Sequence, residues 1–204
     1  MRQFCECVSH IRKLRVNVAR VLAGCMLLGL PACGDSRPPW AEGAIVREQR
    51  PRGAIPQDLR NLETRLLELH NRERAAVGVP PLAWDAGLAS AAAAYGPALA
   101  RRGRLAHSAQ ATRPGQGENL WMGTRGAYTL DEMIGSWAEE KRLFRPGVFP
   151  DVSSSGHWSD VAHYSQMVWR STARVGCATH RSRRWDFLIC RYAPPGNVVG
   201  QRVF

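Results

Sequence analysis

Cysteine is scarce over most of this chain. Of six, Cys5, Cys7, Cys25 and Cys33 fall within the first 33 residues, and only Cys177 and Cys190 lie beyond. No C-x-x-C pair occurs, which excludes a zinc-thiolate finger or a dithiol redox centre. H-E-x-x-H and G-x-S-x-G are both absent, so neither a helix-borne zinc protease signature nor a nucleophile elbow is present. No stretch reaches the ~20 apolar residues that a membrane-spanning helix needs. There is no internal repeat, and the one biased tract is the alanine-rich "ASAAAAYG". Acidic residues are outnumbered, 17 against 28 Lys plus Arg, for a formal net charge of +11. Such a balance raises nucleic acid or anionic membranes as partners. Part of it sits in Arg2, Arg12, Lys13, Arg15 and Arg20, however, and the rest is scattered. The one local cluster, Arg181, Arg183 and Arg184, reads as a solvated hairpin tip rather than a phosphate groove, and no nucleic-acid partner is expected.

The chain opens like an export signal. A basic stretch ending at Arg20 precedes the apolar run "VLAGCMLLGLPA", Val21 to Ala32, which ends in "LPACG". That box resembles a bacterial lipoprotein signal, so residues 1–33 read as a signal peptide cleaved before Cys33, which becomes the lipidated first residue. A plain secretory signal with Cys33 incidental is the alternative. Gly34 after Cys33, rather than aspartate, favours the outer membrane if the source is a diderm bacterium. Residues 34–57, rich in proline, glycine and charge, read as a flexible tether.

The whole sequence has the 45% apolar and 22% charged composition of a globular protein, and residues 58–204 read as one domain. Leu59, Leu62, Leu66 and Leu69 mark one face of a helix that stops at Gly78. A second helix runs from the N-cap candidate Asp85 to Gly103. "GENLWMG" is a short extended run. Thr129 and Glu132 form a capping box for a third helix, whose inner stripe is Met133, Trp137, Glu140 and Phe144. "RVGCATH" and "WDFLICRYA", separated by "RSRR", have the pattern of an antiparallel hairpin, followed by a short terminal strand. In an oxidising compartment Cys177 and Cys190, on the two neighbouring strands of that hairpin, suggest one disulfide. Helices first and strands later give an α+β class, with helices on both faces of a small antiparallel sheet.

"LLELHNRERAAVG", "LAHS", "GENLWMG", "WAEEK", "HYSQMVW", "VGCA" and "LICRYAPPGN" occur in this order. In that order they resemble the CAP superfamily of cysteine-rich secretory, antigen 5 and pathogenesis-related 1 proteins, also called the SCP domain. The likeness covers about Leu59 to Phe204. It implies an α-β-α sandwich with a cavity lined by two histidines and two glutamates. Motif by motif these are His107, Glu118, Glu140 and His163. Glu139 is the rival third residue, but helical spacing puts Glu140 on the side of Trp137. The chain departs from the plant pattern in lacking a cysteine before His163, and no cysteine-rich extension follows Phe204.

Two neutral imidazoles, His107 and His163, can bind zinc or another divalent ion while the glutamates orient their rings. Two histidines alone make an open, weak site. The resemblance implies a lipid, sterol-like, glycan or peptide ligand for a non-enzymatic envelope protein. The alternative is a hydrolase, either a metal-dependent protease using His107 and His163 with Glu118 or Glu140 as general base or a cell-wall glycan hydrolase using the two carboxylates as acid and base, and a purely structural envelope protein is the third. His70 reads as a helix-packing residue, and His157 and His180 as exposed loop residues. Trp121 and Trp169 read as core. Ser108 and Ser165 beside histidines invite a serine hydrolase reading, which nothing else in the sequence supports.

Overall fold

A computed structural model describes residues 61–204 together with strand β1, Val46–Glu48. The leader, Cys33 and the rest of the tether segment lie outside the described residues. β1 falls within the stretch read as tether, yet it pairs in parallel with a sheet strand.

Among the described residues the strands and α-helices follow in the order β1, α1 (Leu62–Ala76), β2 (Ala83–Trp84), α2 (Ala86–Arg102), β3 (Gly117–Thr124), α3 (Leu130–Ala138), α4 (Ala162–Met167), β4 (Arg174–Arg181) and β5 (Trp185–Ala193). The strands form one sheet in the order β1-β3-β5-β4-β2. Its three central strands pair antiparallel, as expected, while both edge pairings are parallel, so the sheet is mixed.

Alternation along the strands separates two apolar layers. Leu120 and Met122 of β3 with Phe187 and Ile189 of β5 pack against Ala92 and Leu99 of α2. The opposite face, with Trp121, Cys177, Leu188, Cys190 and Tyr192, packs against Leu66, Leu69, Met133, Trp137, Tyr164 and Met167 of α1, α3 and α4. Helices therefore cover both faces, and the α+β sandwich holds. Trp121 and Trp169 are core residues. Cys177 and Cys190 stand directly opposite in the β4–β5 register and are joined by a disulfide.

Local chemistry sets the boundaries. The Asp85 side chain accepts from Leu88 N at 3.0 Å, and Gly103, at φ 60°, takes the left-handed conformation that ends α2. The Thr129–Glu132 capping box starts α3. α3 stops at Ala138 and tightens into a 3-10 turn over Glu139–Arg142. A three-residue period still carries Glu140 to the side of Trp137. The expected terminal strand is reduced to a single bridge between Val148 and Arg202. His157 is exposed, but His180 lies within β4, against Gly96 of α2, rather than in a loop.

α2 lies unusually close to β4. A Cβ at Gly176 would run into the backbone of Asp85, Leu88 and Ala89, which are fixed parts of the helix start. Gly176→Ala is expected to cost at least about 2 kcal/mol, because only lifting α2 off the sheet makes room. Chemical denaturation checks this, and a loss below about 0.5 kcal/mol, the scale of a neutral surface change, would show that α2 is free to shift.

Candidate functional site

The four sequence-identified residues form two His–Glu pairs. Glu118, near the start of β3, is fully buried, and its Oε1 lies 2.7 Å from His107 Nδ1. Ser108 adds its backbone N–H at 2.9 Å and its hydroxyl at 3.1 Å, and Arg191 Nη2 reaches Oε2 at 2.9 Å. Burial alone would raise this carboxyl. The His107 hydrogen bond and the charge of Arg191 outweigh it and hold Glu118 below the ordinary carboxylate range. Arg191 stands opposite Glu118 in the β3–β5 register, and its guanidinium lies 5.7 Å from the Tyr95 ring centroid on α2. An ionised Glu118 only accepts, so His107 Nδ1 donates to it, and in the neutral ring Nε2 is the acceptor.

The second pair joins the 3-10 turn after α3 to α4. Glu140 Oε1 is 2.6 Å from His163 Nδ1, and its Oε2 accepts from the backbone N–H groups of His163 and Tyr164 at 2.9 and 3.0 Å. Trp137 stacks on the His163 ring at 5.5 Å with an interplanar angle of 6°. The three-residue step from Trp137 to Glu140 thus grips one imidazole by face and by edge. Glu139, the rival, pairs with Arg142 on the surface. In both pairs Nε2 is buried and has no hydrogen-bond partner.

A cavity of about 410 Å³ opens where β3 begins and β5 ends. His107, Arg113, Gln116, Glu118, Trp158 and Gln166 are in its lining, and His163 and Glu140 are not. Gly117 matters here, because a Cβ would strike Gln166 Oε1. Gln166 instead accepts from Gly196 N at 2.8 Å and donates to Thr172 Oγ1 at 3.2 Å, fixing the turn after β5 on the cavity wall. Ser165 bonds Asn197 and Ala162 O, and Ser108 bonds Glu118, so neither serine hydroxyl is bonded to an imidazole. Among the described residues no three or more His, Cys, Asp or Glu side chains converge as a closed metal site would need.

Arg191, Arg113 and Gln116 escaped the sequence reading. Arg191 had one signal, a lone charge inside the apolar strand run "DFLICRYA", but its partner Glu118 lies in a distant segment. Gln116 Oε1 is buried without a partner beside the cavity. His70 packs as expected, its Nδ1 2.7 Å from Leu66 O and its Nε2 2.8 Å from the Tyr192 hydroxyl.

Comparison with known proteins agrees with this architecture. Residues 67–192 match the CAP family, described as the cysteine-rich secretory protein family. The tobacco (Nicotiana tabacum) pathogenesis-related protein 1B is 38% identical over 143 residues, covering 69% of this chain and 80% of its own. The PR-1 type pathogenesis-related protein of Sambucus nigra is 35% identical over 140 residues, covering 68% and 79%. Among solved structures, that of NaASP2 with Zn2+ superposes with a TM-score of 0.58 at 23% identity, covering 76% of this chain and 88% of that one. BmVAL-1 gives 0.58 at 19% identity, covering 76% and 86%. With the two-faced sandwich, the family match and relatives above one-third identity all in agreement, this chain belongs to the CAP family.

Proposed function

We propose that this chain is an exported, non-enzymatic ligand-binding protein of the cell envelope, whose cavity takes a lipid, glycan or peptide group and whose two imidazoles offer Nε2 to a divalent ion such as zinc. The observation that carries this reading is the pair of buried, unpartnered ring nitrogens, each with its Nδ1 on a carboxylate. Ligating histidines are oriented this way by their outer partners. Two imidazole donors would make an open ion site rather than a closed structural zinc site, which would need a larger group of ligands than the described residues bring together. The structure of NaASP2 with Zn2+ adds support from a protein of the same fold. Export is supported by membership in a family of secretory proteins. The lipid anchor at Cys33 remains part of the proposal on sequence grounds alone.

The hydrolase reading that uses Glu118 is weaker for a physical reason. Glu118 is held as an anion by Arg191, Ser108 and His107, so it can neither donate a proton near neutral pH nor act as a strong base. Titration calorimetry with zinc tests the proposal. His107→Ala/His163→Ala is expected to lose at least about tenfold in zinc affinity, the scale on which losing ligands or their supports acts. Wild-type affinity should fall as pH is lowered, since only the neutral imidazole ligates. Unchanged zinc affinity in the double variant would sink the assignment.

A further inference from the structure

We infer that the end of the sandwich opposite the cavity is a docking surface for an anionic lipid bilayer. The polarity of the molecule comes from the sheet register. Gly117 pairs with Tyr192 at the cavity end, and Thr124 pairs with Trp185 at the other. Seven residue steps separate the two ends, roughly 23 Å. α2 runs in the same direction as β4, since Gly176 lies under Asp85 and Ala89 while His180 lies against Gly96. The last turn of α2 and the β4–β5 turn therefore emerge side by side at the far end.

That end is basic. Arg101 and Arg102 close α2, Arg104 follows its cap, Arg184 lies in the hairpin turn, and Arg125 donates its backbone N–H to Arg184 O at 2.9 Å. All five are exposed. α2 holds no acidic residue, and two nearby carboxylates are engaged: Asp186 with the Arg181 guanidinium and Gly126 N, and Asp131 with Arg65. The helix dipole accounts for cations in the last turn, at Arg101 and Arg102. It does not account for Arg104, Arg125 or Arg184, which lie outside the helix.

Two features favour a bilayer over a soluble polyanion. The surface is a blunt helix end beside a hairpin turn, and the cavity that could hold an extended chain is at the other end. Trp185, half-buried with its body against the Leu99 layer, follows Arg184 in the chain, so an indole and a cation share this end, a combination that suits the headgroup level. Docked this way, the molecule turns its cavity away from the membrane and toward the aqueous space. The inference is independent of any metal or ligand in the cavity.

Sedimentation of the full chain with vesicles tests it, comparing wild type with Arg101→Glu/Arg102→Glu/Arg184→Glu on phosphatidylcholine vesicles with and without one-third phosphatidylglycerol. Any contribution of the apolar N-terminal segment is common to both proteins and cancels in the comparison. On anionic vesicles at low salt the variant should partition at least about tenfold more weakly, given the attraction expected per arginine near such a surface. The difference should vanish at high salt and on neutral vesicles. The corresponding Arg→Gln variant should lose less, and unchanged melting temperatures confirm that both remain folded. Equal partition of variant and wild type onto anionic vesicles overturns the inference. So does a variant that loses retention on heparin while keeping its vesicle binding, since the surface would then serve a soluble polyanion.

Discussion

Replacing Arg74 by alanine is expected to destabilise the protein by about 3–5 kcal/mol, the range seen when a buried charge network is broken. Arg74 is fully buried in α1, yet among the described residues no carboxylate pairs with it. Its Nε donates to Pro80 O at 2.7 Å, Nη1 to Met167 O and Trp169 O at 2.9 Å each, and Nη2 to Thr172 O at 2.9 Å. Burial pulls the guanidinium down to about 10, which leaves it charged at neutral pH. Met167, Trp169 and Thr172 lie at and just beyond the end of α4, a six-residue helix too short to stand on its own hydrogen bonds. A cation there satisfies carbonyls that the helix cannot and complements their negative end. Alanine would strand the carbonyls of Pro80, Met167 and Thr172 around a void, each costing on the order of 1–3 kcal/mol before relaxation, while Trp169 O keeps the Thr172 N–H at 3.1 Å. The melting temperature should fall by about 10 °C or more. Arg74→Lys keeps the charge but not the planar fork, so it should fall between the two. A drop of less than about 1 kcal/mol in Arg74→Ala would mean that water replaces the guanidinium at little cost. Because α4 carries His163, loosening of the His163–Glu140 contact should accompany the loss and appear as weaker zinc binding.

What was legible in the sequence was mostly local. Asp85 and Gly103 bound α2 as read, Thr129 and Glu132 cap α3, and the hairpin that carries Cys177 and Cys190 forms around its polar turn. Each of these signals is complete within a few residues. The four His and Glu positions came from motif order, and their division into two pairs was out of reach, because it depends on which segments the sheet brings together. Val46–Glu48 sat inside a proline- and charge-rich stretch that looked like linker, and a three-residue edge strand is too short to show periodicity. The parallel edge pairings were equally invisible, since short strands do not advertise their partners. Arg74 was missed despite a usable clue, its place four residues after His70 and eight after Leu66 on one helix face. An arginine on an apolar stripe reads as a boundary residue until its carbonyl partners, most of them more than ninety residues on, are known.

The pH dependence of stability follows from the other buried group on that stripe. Leu66 O can only accept, so His70 Nδ1 carries the proton and Nε2 accepts from the Tyr192 hydroxyl. That hydroxyl in turn accepts from Asn119 Nδ2 at 3.2 Å, and Asn119 also donates to His163 O at 3.1 Å. Burial pushes the phenol of Tyr192 up and the imidazole of His70 down to about 4, with the nearby Arg74 charge helping to depress His70. Protonating Nε2 would set two donors against each other and turn the hydroxyl out of the chain. The unfolded state takes up this proton near pH 6.5 and the folded state near 4, so between these values the unfolded chain binds more protons and stability falls as pH falls. The loss across the window is about 3 kcal/mol. Glu118 acts in the same direction but later, because its depressed carboxyl stabilises the fold above the unfolded carboxylate value, about 4.3, and is lost only below it. Urea titrations at half-unit steps from pH 7.5 to 4 are therefore expected to show a slope in the wild type that His70→Gln removes, since an amide can donate and accept without titrating. A variant that keeps the full slope would place the titrating group elsewhere. A variant that loses it would identify His70 as the group that ties α1, through Tyr192 and Asn119, to the backbone of His163.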